Sequence, residues 1–296
     1  MIKLVLGDRN INSISDTSFF FIMGSGRNGS TLLSAILNEH AKIFIPPEQF
    51  VLPYYAMEWQ LSRNMSDNLF VDRLFAAYTK PGNTVNWTVT FDQLQKGKYD
   101  LLKTPLSYEN ITKRVFLNYG NTLGKYLIES VGDNSPLMTH HSKLISEEFP
   151  RAKFIYLIRD PREVVYSYSK MKDHPASNIN HAIWKWKDSI RMYEYLKRKK
   201  KDVLLIHYKD LVSFPEESMD KVLSFLGYNY DPDIFSFSEH IDAMGVSNLE
   251  YHQNLNNPIN TSSLNKWRGK LNEAELRLIR KSLGKLASKY DYDLSD

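Results

Sequence analysis

Phe19-Phe-Phe-Ile-Met-Gly24-Ser-Gly26-Arg27-Asn28-Gly29-Ser30-Thr31-Leu32-Leu33 runs from a short apolar strand through a glycine-rich turn into the first turn of a helix. That succession is how a chain cradles a phosphate-like anion. The glycines let the backbone approach closely, and the first N–H groups of the helix have no carbonyl partners and lie at the positive end of its dipole. The spacing of Gly24, Gly29, Ser30 and Thr31 nearly fits the ATP-binding pattern G-x-x-x-x-G-K-[ST], with Ser30 where the lysine belongs. The nearby cation is Arg27 instead. A glycine-rich connection without a ligand has the same local look, so the reading needs a second anion site elsewhere in the chain.

The segment Lys153-Phe-Ile-Tyr-Leu-Ile-Arg159-Asp-Pro161-Arg-Glu163-Val-Val-Tyr-Ser167 supplies a candidate. A continuous apolar run bounded by Pro150 and Pro161 predicts a buried parallel strand over 153–158, and Pro161 at a first helical position predicts a helix carrying Ser167 about two turns in. Strand ends in open α/β sheets face the ligand crevice, so Arg159 is placed to grip a phosphate and Ser167 to add a hydroxyl donor. The plainer alternative is that Arg159 pairs with Asp160 or Glu163 and that Ser167 is an ordinary helix residue.

Working outward, Thr31 to Glu39 reads as a helix, Ile43 to Ile45 as a short strand stopped by Pro46-Pro47, and Glu48 falls at its exit. Further helices are predicted at 68–78, around 139–148, at 181–201 and at 215–226, the last closed by Gly227, with another strand at 203–207. Asn272 and Glu275 form a capping-box pattern ahead of a terminal amphipathic helix. Strands alternating with helices predict one α/β domain over residues 1–296, three-layered with a mostly parallel sheet. The aromatic-rich stretch 50–130 is the expected helical region shaping an acceptor pocket.

Composition bounds the function. A chain of 296 residues with 42% hydrophobic content can fill a sizeable core, and a net charge of +4 is too small for general nucleic-acid binding while suiting an anionic ligand. With no cysteine there is no thiolate metal site and no cysteine nucleophile. The N-terminal apolar run, Phe19 to Met23, is far too short for a membrane span, and the expected location is cytoplasmic. The run Lys197-Arg-Lys-Lys-Lys201 ends a predicted helix, where cations offset the dipole and stay solvated.

The two glycine- and arginine-bearing segments together resemble the sulfotransferases that use 3′-phosphoadenosine-5′-phosphosulfate (PAPS), most closely the tyrosylprotein and bacterial branch, over nearly the full length. Gly24 to Leu33 is similar to the family's 5′-phosphosulfate loop and Leu157 to Ser167 to its 3′-phosphate motif; His207-Tyr208-Lys-Asp-Leu, Phe225-Leu-Gly and Asn257 to Lys270 match further segments. The resemblance implies a P-loop-like fold and sulfuryl transfer to a hydroxyl-bearing acceptor, with no catalytic metal. It assigns Arg27, Asn28, Gly29, Ser30, Thr31 and Leu32 to the 5′ end of the nucleotide and Arg159 and Ser167 to the 3′-phosphate. Tyr208 is assigned to the adenine, and Lys266, Trp267, Arg268, Gly269 and Lys270 to a covering segment. A core tryptophan is the alternative for Trp267.

The same resemblance makes Glu48 the catalytic base, with Arg27 stabilising charge on the departing phosphate oxygen. His140 and His141, the histidine alternative, are read as surface residues. The chain departs from the pattern at Asn134, where many relatives have a lysine, and at Asn265, where the tyrosylprotein branch has a serine. Lys103 is a candidate to replace the missing charge. An ATP-dependent P-loop kinase and a catalytically lapsed nucleotide-binding scaffold are the rival readings. The acceptor, whether sugar, lipid, peptide tyrosine or small metabolite, is not named by any motif.

Overall fold

In the computed structural model, which describes residues 14–62, 65–103, 105–171, 174–239 and 259–295, the opening apolar run is the middle strand of a five-stranded sheet. The strands are β1 (Ser18–Gly24), β2 (Ile43–Phe44), β3 (Ser130–Asp133), β4 (Lys153–Ile158) and β5 (Val203–His207), in the order β2-β3-β1-β4-β5. Every pairing is parallel, with Phe21 opposite Asp133 on one side and opposite Phe154 on the other.

A strand buried on both faces must be apolar at every position, and β1 divides its side chains by parity. Phe19, Phe21 and Met23 enter the larger core, while Phe20 and Ile22 enter the smaller one. Phe154, Tyr156 and Ile158 of β4 follow the first set, and Ile155 and Leu157 the second. The smaller core is closed by α1 (Ser30–Glu39), α11 (Tyr208–Ser213) and α12 (Pro215–Leu226). The larger is closed by α2 (Leu52–Leu61), α3 (Asp67–Thr79), α6 (Tyr108–Thr122), α7 (Leu137–His140), α8 (Ser142–Glu148), α9 (Pro161–Ser169), α10 (Ile179–Arg198) and α13 (Glu273–Ala287). Two short helices, α4 (Phe91–Gln95) and α5 (Lys98–Leu102), pack beside α6. The expected three-layer α/β fold is therefore present. Among the described residues no helix is long and apolar enough to cross a membrane.

The predicted β4, β5 and α12 have the predicted bounds, and α13 carries the full capping box between Asn272 and Glu275. Others differ: the helix expected at 181–201 runs Ile179–Arg198, leaving Lys199, Lys200 and Lys201 beyond its end. The helix expected around 139–148 breaks at His141 into α7 and α8. β3 has no counterpart among the expected strands, because Ser130-Val-Gly-Asp133 contains weak strand formers. Its glycine is steric in origin, since a Cβ on Gly132 would lie 2.4 Å from Cζ of Phe20.

Candidate active site

Every strand delivers its carboxyl end to one cavity of about 840 Å³. Beyond β1 the wall includes Gly26, Arg27, Gly29, Ser30, Thr31 and Leu32; beyond β2, Glu48; beyond β3, Pro136; beyond β4, Arg159; and at β5, Tyr208. This is the crevice at which open parallel sheets bind ligands, and the volume falls in the range of ligand pockets.

The anion loop is braced by Asn28 and Thr139, which lie off the cavity wall, and by Tyr168, which lies on it. Asn28 is 1% exposed, and its Nδ2 donates to the carbonyls of Met23 at 3.3 Å and Leu157 at 3.1 Å, pinning the turn to the sheet. The Gly24 N–H donates to Thr139 Oγ1 at 2.9 Å, and the Tyr168 hydroxyl donates to the Ser25 carbonyl at 2.8 Å. Gly29, the N-cap of α1, has φ of +98°, and a Cβ there would meet the Tyr208 ring at 2.4 Å. No side chain caps α1 and no acid occupies its first turn, so the N–H groups of Ser30, Thr31 and Leu32 are available to an external anion. Arg27 is held at φ of +54°, a conformation unfavourable for a residue with a Cβ.

The two predicted anion sites touch. Arg27 Nε donates to Ser167 Oγ at 3.1 Å, and Arg159 Nη1 donates to the Arg27 carbonyl at 3.1 Å. Arg159 also donates from Nε to Glu163 Oε2 at 2.7 Å and from Nη2 to the Ser263 carbonyl at 3.0 Å, and its guanidinium stacks 4.2 Å from the Tyr208 ring centre. A guanidinium has five N–H donors, so one remains on each terminal nitrogen. Asp160 is occupied by Arg162 at 2.8 Å. The other Glu163 oxygen accepts the Asn265 N–H at 2.6 Å, and the Tyr208 and Ser263 hydroxyls are 2.7 Å apart. Glu163 and Tyr208 thereby tie the segment 259–266 over the Arg159 end of the cavity.

Of the expected covering residues, Lys266 lines the cavity. Trp267 does not: it is 3% exposed in the larger core with Arg162 4.3 Å above its ring, while Arg268, Gly269 and Lys270 are exposed and off the wall. The matched stretch Asn257-Pro258 lies outside the described residues.

Glu48 is on the wall, and burial, reinforced by the charge of Asp133 and opposed by Arg27, raises its carboxyl from the ordinary 4.5 to about 7. Asp133 is itself raised by burial to about 6, held down by hydrogen bonds from Gln49 and Ser135. Gln49 links the two, donating from Nε2 to Asp133 Oδ2 at 2.8 Å while its Oε1 accepts the Val51 and Leu52 N–H groups at the start of α2. A carboxyl that loses its proton near neutrality beside a cation suits general-base work.

Three expectations are corrected. Lys103 is exposed, paired with Asp100 at 3.5 Å and lying 3.9 Å above the Tyr99 ring, so short-range partners on α5 hold it off the cavity. His140 is not a surface residue: it lines the cavity, with Nδ1 2.7 Å from Asp188 and Nε2 3.2 Å from Lys185 Nζ. The stretch 50–130 contributes only Phe50 to the wall among the described residues, because its helices pack against α6 and the larger core. The remaining wall comes from α7 and from residues 166–185, including Tyr166, Tyr168, His174 and Lys185. One signal for Lys185 was present in the sequence: with the buried Ala182, Trp186 and Ser189 it shares the inward face of α10.

The family model described as Sulfotransferase family matches residues 20–232. Protein-tyrosine sulfotransferase 1 of Danio rerio is 26% identical over 266 residues, covering 86% of this chain and 67% of that protein. The protein-tyrosine sulfotransferase of Drosophila melanogaster is 24% identical over 271 residues, covering 85% of this chain but only 47% of its own length. Among solved structures, the sulfotransferase domain of the Synechococcus PCC 7002 olefin synthase superimposes with a TM-score of 0.62 at 22% identity over 94% of this chain and 96% of that one, a likeness of fold.

Proposed function

The chain belongs to the sulfotransferase family, and from that premise we propose that it transfers a sulfuryl group from PAPS to the hydroxyl of an acceptor, with Glu48 as base and Arg27 as the main electrostatic catalyst. The observation that carries the reading is the convergence, in one cavity, of an uncapped helix N-terminus, two arginines and a carboxyl poised near pH 7.

The residues present fit such a donor. The first-turn N–H groups of α1 with Arg27 form one oxyanion pocket, and the free N–H groups of Arg159 with the Ser167 hydroxyl form another. Both neighbour the flat Tyr208 ring, which already stacks on a planar cation and offers a surface for a base. When bound, the donor supplies an activated sulfuryl group on a phosphate leaving group. Glu48 in its ionised form takes the proton of the acceptor hydroxyl, and Arg27 with the N–H groups of Ser30, Thr31 and Leu32 stabilises charge gathering on the departing oxygen. Asn134 brings no cation to that oxygen, which increases the weight on Arg27.

The test is turnover of isotopically labelled PAPS against a panel of hydroxyl acceptors, read by mass spectrometry, beside calorimetric binding of 3′,5′-bisphosphoadenosine (PAP) and ATP. Label transfer with PAP bound more tightly than ATP supports the proposal. PAP binding with no transfer to any class of acceptor refutes catalysis, and ATP binding without PAP binding refutes the donor.

A further inference from the structure

Lys185 takes no part in the scheme above, yet its ammonium is held in the cavity wall by a chain of two groups, His140 and Asp188. Its Nζ lies 3.2 Å from His140 Nε2, and His140 Nδ1 lies 2.7 Å from Asp188 Oδ2. An ammonium only donates, so Nε2 accepts and the ring proton is on Nδ1, directed at Asp188. Trp184 stacks on the imidazole with ring centres 5.3 Å apart and 12° between the planes, fixing its orientation. One of the three Lys185 N–H bonds is thus engaged and two remain for a ligand.

The surroundings favour a negative one. His174, also on the wall, accepts the Ala176 N–H at Nδ1 at 3.0 Å, which leaves its proton on Nε2 as a further donor, and Lys170 adds a second ammonium. The carboxylates on the wall among the described residues are Glu48, assigned the acceptor proton, and Glu163, already bonded to Arg159 and to the Asn265 N–H. Lys185 is close to the transfer site, its Nζ lying 5.8 Å from the ring centre of Tyr168, the residue whose hydroxyl holds Ser25 of the anion loop. Burial pushes Lys185 toward its neutral form and Asp188 opposes this, a balance that a bound anion tips toward the charged form.

We propose that Lys185, fixed by His140 and Asp188, binds an anionic group carried by the acceptor, so that the substrate is a hydroxyl compound bearing a carboxylate or a similar oxyanion rather than a neutral alcohol. This rests on the sulfuryl-transfer reading and adds the charge of the acceptor to it. Lys185 selects and positions the acceptor; Glu48 takes the proton.

The experiment compares matched probes with and without charge: 4-hydroxyphenylacetate against its amide, glucuronate against glucuronamide, and 3-hydroxybutyrate against 3-hydroxybutyramide. Each is assayed with labelled PAPS and by calorimetry in saturating PAP, on the wild type, Lys185→Gln and Lys185→Arg. In at least one pair the wild type favours the charged member by about tenfold or more in kcat/KM, the size expected of a hydrogen bond to a charged group. Lys185→Gln removes the preference through KM and Lys185→Arg retains most of it. PAP affinity measured on each variant reports an intact fold. A preference that survives Lys185→Gln, or transfer to the amides in preference to or without the charged members, overturns the proposal. Failure to bind PAP, or PAP binding with transfer to neither member of any pair, overturns the reading beneath it instead.

Discussion

Replacing Glu48 by glutamine separates what this carboxyl does for chemistry from what it does to stability, and the two effects run in opposite directions. Burial raises its carboxyl from 4.5 to about 7, so the folded protein keeps a proton that the unfolded chain releases within that window. Stability therefore falls as pH rises from about 4.5 to about 7 and is unaffected by this group outside those limits. The rise spans about two and a half pH units at about 1.4 kcal/mol each, so ionised Glu48 destabilises the fold by roughly 3 to 4 kcal/mol at pH 8. Asp133, raised from 3.8 to about 6, acts in the same direction in both proteins, so the difference between them reports Glu48 together with its repulsion from Asp133. The assay is urea unfolding of wild type and Glu48→Gln from pH 4 to 8, with turnover measured on the same samples. The curves coincide near pH 4 and separate above pH 5, Glu48→Gln becoming the more stable by up to roughly 3 to 4 kcal/mol, while its turnover drops by the roughly hundredfold or more attributed to general-base catalysis. Parallel stability curves across the range, or a variant retaining a tenth of the activity, would refute the reasoning.

Arg27 combines strain with charge, and two substitutions divide them. Arg27→Gly, which suits φ of +54°, is expected to be about 1 kcal/mol more stable to urea than Arg27→Ala, while both lose on the order of a hundredfold in turnover; equal stability of the pair contradicts the strain. Asp133→Asn removes a like charge that helps raise Glu48, so the acid limb of the pH–rate profile moves to lower pH. An unmoved limb means that Asp133 does not tune the base.

How much of this was legible in the chain depends on the range of the interactions. β1 and β4 were readable because strands buried on both faces are continuous apolar runs, β5 because Val203 to Ile206 is a short apolar run, and α12 because Pro215 opens it and Gly227 closes it. The loop after β1 and the position of Arg159 followed from those elements. β3 was not legible, since Ser130-Val-Gly-Asp133 is a strand only because β1 and β2 flank it. The wall formed by His140, His174 and Lys185 was equally hidden: α7 and α10 are far apart in sequence, and a lysine on an apolar helix face becomes informative only when its partner across the cavity is known. Trp267 failed differently, a conspicuous residue whose place under Arg162 is decided by packing.

The central claim is that the turn after β1 and the edge of β4 hold the two phosphates of one nucleotide. A crystal structure of the complex with PAP tests it most directly. One phosphate is expected within about 3 Å of the N–H groups of Ser30, Thr31 and Leu32, and the other at the same distance from the Arg159 guanidinium and the Ser167 hydroxyl. PAP bound outside the cavity, or inside it with neither phosphate in contact with Arg159 or the α1 N-terminus, would contradict the account.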